Sequence, residues 1–237
     1  MFIHRLNQTR TFTPMNDLTL FIDTTTSRLM LALGSPKTPD HLLAAQNVPC
    51  ESHRYHSALM IPAIEDMLRE NGLAVPDLRA LAVNIGPGSF TGIRTGLITA
   101  RTMAQFLKLP VHCFNTFELL AAKAQHPTAI YLDALRGRSY HACLSWTEQG
   151  PKYWRQPPGL VRLDQEAPNP PLQARLLVSP GLEAYFAGGR PRFIADDFFS
   201  PVAMAQLMAE YGNHFARPWQ EVLPMYLQEP SITLKKA

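Results

Sequence analysis

The residues best placed to do chemistry lie in "NIGPGSFTGIRTG", Asn84 to Gly96. Gly86 and Gly88 permit positive φ and close backbone approach, and Pro87 stiffens the turn between them. Ser89 or Thr91 can cap a helix that starts here, and free N–H groups at a helix start attract anions. A Walker loop, G-x-x-x-x-G-K-[ST], would need a lysine where Ile93-Arg94 stands. A Rossmann fingerprint, G-x-G-x-x-G, would need its third glycine one position earlier. On local grounds two readings stand: a structural turn, and an anion or nucleotide site made of Asp23, Gly86, Gly88, Ser89 and Asp133.

The two aspartates enter because each ends an apolar run. Asp23 closes "LTLFID" and Asp133 closes "AIYLD". Paired strand-end aspartates are the arrangement by which sugar kinases and actin-type ATPases face a nucleotide's metal. An Asp that caps a polar turn accounts for each residue equally well. The following turns are poor phosphate cradles: "DTTTSRL" has no glycine and "DALRGRSY" has one. No G-x-S-x-G nucleophile elbow occurs. His53 and His56 lie three apart with Arg54 and Tyr55 between them and no acid at helical spacing before Glu65. They suit capping or interface roles better than a metal, and no metal ligand set is assigned.

The elements that must position these residues alternate. "LTLFID" and "RLMLALG" read as a hairpin across a Thr/Ser turn, and a helix follows from about His53 to Glu70, ended by Asn71-Gly72. "LRALAVNIG" reads as a third strand, then come a helix over 91–107 and the strand "VHCF". Asn115 or Thr116 caps another helix in "FELLAAKAQ". "AIYLDAL" and "SYHACLSW" form a second strand pair around Arg136-Gly137-Arg138. Residues 151–171 hold six of the 21 prolines and read as loop or edge strand. "RLLVSPG" reads as a strand. A last helix runs from Ser200-Pro201 to Tyr211, with Ser as its N-cap. This order gives a mixed α/β protein with a leader over 1–14, an N-terminal lobe over 15–114 and a C-terminal lobe over 115–237. The leader, with Arg5, Arg10 and no acid, reads as disordered or as preceding a start at Met15.

The two helices of the first lobe carry further signals. On a wheel, Leu59, Met60, Ile61, Ala63, Ile64, Met67 and Leu68 spread over roughly 200°, wider than the stripe of a one-sided helix. The face centred on Met60, Ala63 and Met67 needs a second cover: helix 91–107 can supply part of it and another chain the rest, or both sides are buried within the monomer. Gly92, Gly96, Ala100 and Ala104 recur every four residues and let their helix approach a neighbour closely. Arg94, Arg101 and Lys108 recur every seven. They read either as a solvated face or as a basic docking stripe for an acidic partner or RNA.

Composition sets the bounds. The chain has 237 residues, 46% of them hydrophobic, enough for a full core. A net charge of +3 does not argue for nucleic acid by itself. Three widely spaced cysteines fit neither a zinc nor a disulfide framework and suit buried thiols in a reducing cytosol. No apolar run approaches the roughly 20 residues of a membrane span.

Taken in order, "LFIDTTTSRLMLAL", "SHRYHSALMIPAIEDML", "LAVNIGPGSFTGIRTGL", "YLDALRGRSYHACL" and "PMYLQEP" resemble the TsaB (YeaZ) family over about residues 18 to 230. "GPGSFTGIR" is the most specific segment. The resemblance implies a two-lobed actin/hexokinase-like (ASKHA) fold, with mixed sheets flanked by helices, in a cytoplasmic protein without a catalytic or metal site of its own. It implies a non-catalytic subunit of the complex that forms N6-threonylcarbamoyladenosine (t6A) at position 37 of ANN-decoding tRNAs. There it would bind a TsaD-like catalytic subunit as a heterodimer, with tRNA engaged through the complex and ATP used through a TsaE-like ATPase. No cofactor is assigned to this chain. Alone it would be able to homodimerise. The family's dimer contact lies on the first-lobe helices, which by position gives His53, His56, Met60, Ala63, Ile64, Met67, Gly92, Gly96 and Ala100. Two departures stand out: "DALRGR" carries Leu135 before Arg136, and the closing motif ends in Gln228. The alternative reading is a stand-alone actin-like ATPase or sugar kinase.

Overall fold

The computed structural model describes residues 16–50, 53–122, 124, 126–147, 150–166, 168–171, 173–186, 192–194 and 198–228. The leader expected over 1–14 lies outside them.

Three strands open the chain: β1 (Thr19–Asp23), β2 (Arg28–Gly34) and β3 (Ala44–Pro49). They pair antiparallel in sequence order. Helix α1 (His53–Glu70) then leads to β4 (Ala80–Asn84), and α2 (Phe90–Leu107) to β5 (Val111–Phe114). Both strands run parallel to β1, in the order β3-β2-β1-β4-β5. After the short helix α3 (Thr116–Leu120) the pattern repeats. Strands β6 (Thr128–Asp133), β7 (Arg138–Thr147) and β8 (Gly150–Arg162) form an antiparallel meander. Then β9 (Arg175–Val178) and β10 (Arg192–Phe193) add in parallel, so the second sheet has the order β8-β7-β6-β9-β10. The first part of the proline-rich stretch, through Pro157 and Pro158, is thus in the edge strand β8, where a missing N–H breaks no interior ladder, and the rest follows the strand.

Alternation along β1 and β2 divides the first core. Leu20, Ile22, Leu29 and Leu31 face α1 and α2 and pack with Met60, Ile64, Met67, Ile93 and Leu97. Phe21 and Ala32 face the other way and pack with Met204, Leu207 and Phe215. Those last residues belong to α4 (Ser200–Tyr211) and the turn after it, and β11 (Ala216–Arg217) pairs with β5. The end of the expected second lobe therefore returns to cover the open face of the first sheet.

Two local expectations change. Strand β3, "AAQNVP", was not anticipated, because it lacks both β-branched runs and clean alternation. Ser200 is not the N-cap of α4. Phe199 holds that position without a side-chain cap, and the Ser200 hydroxyl reaches across the molecule to Asp23. Serines are good caps, but a buried acceptor elsewhere wins the hydroxyl here.

Candidate functional site

Asp23 ends β1 at the centre of the first sheet and is 2% exposed. Its Oδ1 accepts from Thr25 N at 2.8 Å and Thr25 Oγ1 at 2.7 Å. Its Oδ2 accepts from Asn84 Nδ2 at 2.9 Å and from the Ser200 hydroxyl. A carboxylate offers about four acceptor directions, and four donors occupy them. Asn84, at the end of β4, is the hub. Its Nδ2 also reaches Thr25 Oγ1 at 3.2 Å, while its Oδ1 accepts from Gly86 N at 3.0 Å and Thr116 Oγ1 at 3.2 Å. Thr116 in turn donates to Pro87 O at 2.7 Å. The Gly86-Pro87 bond is cis.

The glycines have a steric task here. A Cβ on Gly92 would lie 1.8 Å from Thr24 O, one on Gly88 2.4 Å from Thr25 O, and one on Gly96 2.6 Å from Thr24 Oγ1. The turn between β1 and β2 is pressed into the start of α2, with Ser89 N donating to Thr25 O at 2.6 Å and Thr24 Oγ1 to Gly92 O at 2.7 Å. Ser89 caps the helix through Gly92 N at 3.1 Å. The helix start that would greet a phosphate is met by the protein's own threonines and serine.

Asp133 ends β6 in the matching place of the second sheet but is exposed. Its Oδ1 accepts from Leu135 N at 2.7 Å. The turn beyond it takes positive φ at Leu135, Arg136 and Gly137 in succession. Asp23 and Asp133 share no hydrogen-bond partner among the described residues. No group of three His, Cys, Asp or Glu residues able to hold a metal occurs among them either.

The expected interface residues divide. Met60, Ile64 and Met67 are buried in the chain's own core, as are Gly92, Gly96 and Ala100 on α2, and Ala63 is half-buried. The wide apolar arc of α1 is covered by the sheet on one side and by α2 on the other, so the face centred on Met60 and Met67 does not point outward. The side chains of His53 and His56 lie outside the described residues. Among the described side chains, the large apolar ones that α1 and α2 leave exposed are Leu59, Ile61, Ile98 and Phe106, the last 78% exposed. No helix among the described residues is long and apolar enough to cross a membrane.

A cavity of about 220 Å³ opens where β5, α3 and the C-terminal segment meet, lined among others by Cys113, Asn115, Glu118, Arg217 and Glu221. Glu118 closes the capping box of α3: it accepts from Asn115 N at 2.9 Å, and Asn115 Oδ1 accepts from Glu118 N at 2.9 Å. Burial pushes its carboxyl up to about 7 against those hydrogen bonds. Burial also pushes the Cys113 thiol up to about 12, so it is not a thiolate nucleophile near neutral pH.

Residues that the sequence reading missed are Thr25, Asn84, Thr116 and Ser200. An Asn immediately before a glycine turn was the one available signal. Ser200, 177 positions from Asp23, had none.

Two sheets of the same strand order, each with an aspartate closing its first strand, make up the actin/hexokinase-like fold, here with its first strand-end turn packed shut. YeaZ from Pseudomonas aeruginosa has the same fold, with a TM-score of 0.68 at 21% identity, over 89% of this chain and 100% of that one. A family model described as "TsaD: tRNA N6-adenosine threonylcarbamoyltransferase" matches residues 41–147. The chain is 36% identical over 88 residues to "tRNA threonylcarbamoyladenosine biosynthesis protein TsaB" of Bacillus subtilis, covering 36% of this chain and 38% of that protein. It is 32% identical over 136 residues to the Escherichia coli protein of the same name, covering 55% of this chain and 56% of that one. The aligned part therefore spans from 38% to 56% of the length of these two relatives. Over these stretches the chain is similar to proteins of the TsaB (YeaZ) family.

Proposed function

We propose that this chain is a non-catalytic subunit of the machinery that forms t6A at position 37 of ANN-decoding tRNAs, where it binds and supports a TsaD-like catalytic subunit. The carrying observation is the saturated Asp23. The carboxylate best placed for metal–nucleotide chemistry is buried and accepts four hydrogen bonds from Thr25, Asn84 and Ser200. Recruiting it for a metal would leave buried donors unpaired, at about 1–3 kcal/mol each. The names of the relatives support the pathway. ATP would be used by a TsaE-like partner, and tRNA would be engaged by the assembly in the cytoplasm.

The docking surface we assign is the exposed apolar remainder of α1 and α2: Leu59, Ile61, Ile98 and Phe106. In the absence of the partner, the same face would join two copies of the chain. Replacing Ile98→Ser and Phe106→Ser together removes outward-facing apolar area at little cost to the fold. Measured by titration against the purified TsaD-like subunit, the double variant is expected to bind at least tenfold more weakly. Unchanged affinity would refute this face. Turnover of ATP by the isolated chain above about 1 s⁻¹ would overturn the non-catalytic reading in favour of an ATPase or sugar kinase.

A further inference from the structure

The cations of α2 differ from an ordinary solvated helix face in what lies beneath them. Arg94 Cζ sits 5.4 Å from the centroid of the Phe90 ring. Phe90 in turn stacks on Tyr226, with centroids 4.9 Å apart and 29° between the planes. Two turns further along, Arg101 Cζ lies 6.0 Å over Trp219. Lys108 continues the line at the C-cap of α2. Tyr226 and Trp219 do not belong to the helix. They come from the C-terminal segment, which is tied to the glycine loop by Met225 N donating to Ile85 O at 2.8 Å.

These cations form no ion pair with another described residue: the pairs Lys37–Asp17, Arg69–Asp66 and Arg162–Asp164 include none of them. Glu221, in the same 3-10 turn as Trp219 (Trp219–Glu221), lines the cavity together with Arg217. At about 100° per residue the line Arg94–Arg101–Lys108 borders the buried Leu97 and Ala104, whereas Ile98, Thr102 and Phe106 lie further round. The cationic edge and the apolar docking face are neighbours on one helix and do not coincide.

A guanidinium laid on an aromatic ring keeps its second planar face free. Nucleobases stack on such planes and on exposed rings, while phosphates pair with the charge. An acidic protein surface would use the charges and gain nothing from the layered rings. At 1.5 Å per residue the three cations span about 21 Å, room for several nucleotides rather than one small anion.

We propose that Arg94, Arg101 and Lys108, backed by Phe90, Tyr226 and Trp219, form a binding edge for unpaired RNA. This rests on the reading of the preceding section, which it deepens: in a tRNA-modifying assembly the unpaired RNA is a tRNA loop, held by the cationic edge while the adjacent face holds protein. The test is fluorescence anisotropy of the full chain with end-labelled ten-nucleotide oligo(U), and with an RNA duplex of equal length, from 50 to 200 mM salt. The single strand is expected to bind more tightly than the duplex. Its log–log salt slope should be about −2, from three phosphate contacts at about 0.7 each. Arg94→Ala with Arg101→Ala should cost at least tenfold at 50 mM salt and flatten the slope by about 1.4. Tyr226→Ala should cost about tenfold with the slope unchanged, the mark of stacking.

Circular dichroism checks that each variant is folded; none of these three side chains is in the core. Absence of oligo(U) binding by the wild-type chain, or unchanged affinity and slope in the arginine variant, would overturn the proposal. So would an arginine variant that keeps RNA but loses the TsaD-like subunit, since the edge would then be a protein contact. The uncharged Ile98→Ser/Phe106→Ser variant is expected to keep RNA binding. If it also kept the protein partner, the docking face would fail while the RNA edge stood.

Discussion

The two sheets repeat one strand order, and each closes its first strand with an aspartate, yet the two ends have opposite fates. Around Asp23 the turn is roofed by α2 and its glycines, and the carboxylate is buried with four donors. Around Asp133 no long helix follows among the described residues between β9 and β10. The element after β9 is the short 3-10 turn Glu183–Phe186, and the carboxylate stays exposed. The strand order therefore places an acid at each strand end, and the packing of the next helix decides what becomes of it. Where the helix closes down, the acid becomes a structural clamp.

The sharpest way to break the clamp is at Gly92. Alanine there gains about 1 kcal/mol of helix propensity. Its Cβ, however, would stand 1.8 Å from the Thr24 carbonyl oxygen, a backbone atom that cannot swing aside. Helix or turn must move, and the shift breaks the Thr24–Gly92 and Ser89–Thr25 hydrogen bonds. Gly92→Ala is expected to lower unfolding stability by about 4 kcal/mol, read by chemical denaturation, in the range of severe overpacking. A loss under 1 kcal/mol would mean the roof is looser than drawn.

A smaller effect tests the aspartates directly. Asp23→Asn keeps the shape but turns an amide donor toward donors already in place, Thr25 on one side or Asn84 and Ser200 on the other. About 2–3 kcal/mol of stability should be lost. Asp133→Asn, exposed and accepting from Leu135 N, should change stability by less than about 0.5 kcal/mol. Equal losses at the two positions would erase the distinction between clamp and open end.

How far this contrast could be read from the sequence depends on the distance between partners. Helix α1 and strands β1, β2 and β5 follow from apolar periodicity and local stop signals, and they were legible. The glycine loop was legible as a close-approach device, but what approaches it was not. Thr24 lies 68 residues from Gly92 and nothing local pairs them. The apolar arc of α1 was real, yet a helical wheel counts circumference without saying which neighbour covers it. That is why Met60 and Met67, expected at an interface, lie in the core. The stripe Arg94–Arg101–Lys108 was visible at once, whereas Trp219 under Arg101 and Tyr226 behind Phe90 come from the C-terminal segment and needed the fold.

A smaller effect than that at Asp23 concerns a third carboxyl, half-buried, which has fewer donors than Asp23 and less solvent than Asp133. Glu118 accepts one backbone hydrogen bond, from Asn115, and burial pushes its folded-state value up to about 7 from the ordinary 4.5. A carboxyl raised on folding binds more protons in the folded chain, so stability is favoured below about pH 4.5 and declines as pH rises toward 7. Glu118→Gln keeps the reach back to Asn115 N, because the capping box accepts either residue. The variant should therefore match the wild type near pH 4.5 and exceed it by on the order of 1 kcal/mol at pH 8, read as a rise in Tm that grows with pH. A variant equally stable or less stable at pH 8 would show that the cavity beside Glu118 hydrates the ionised carboxylate. The rule drawn from Asp23 would then gain its third case: a buried acid is tolerated when donors saturate it or when water reaches it.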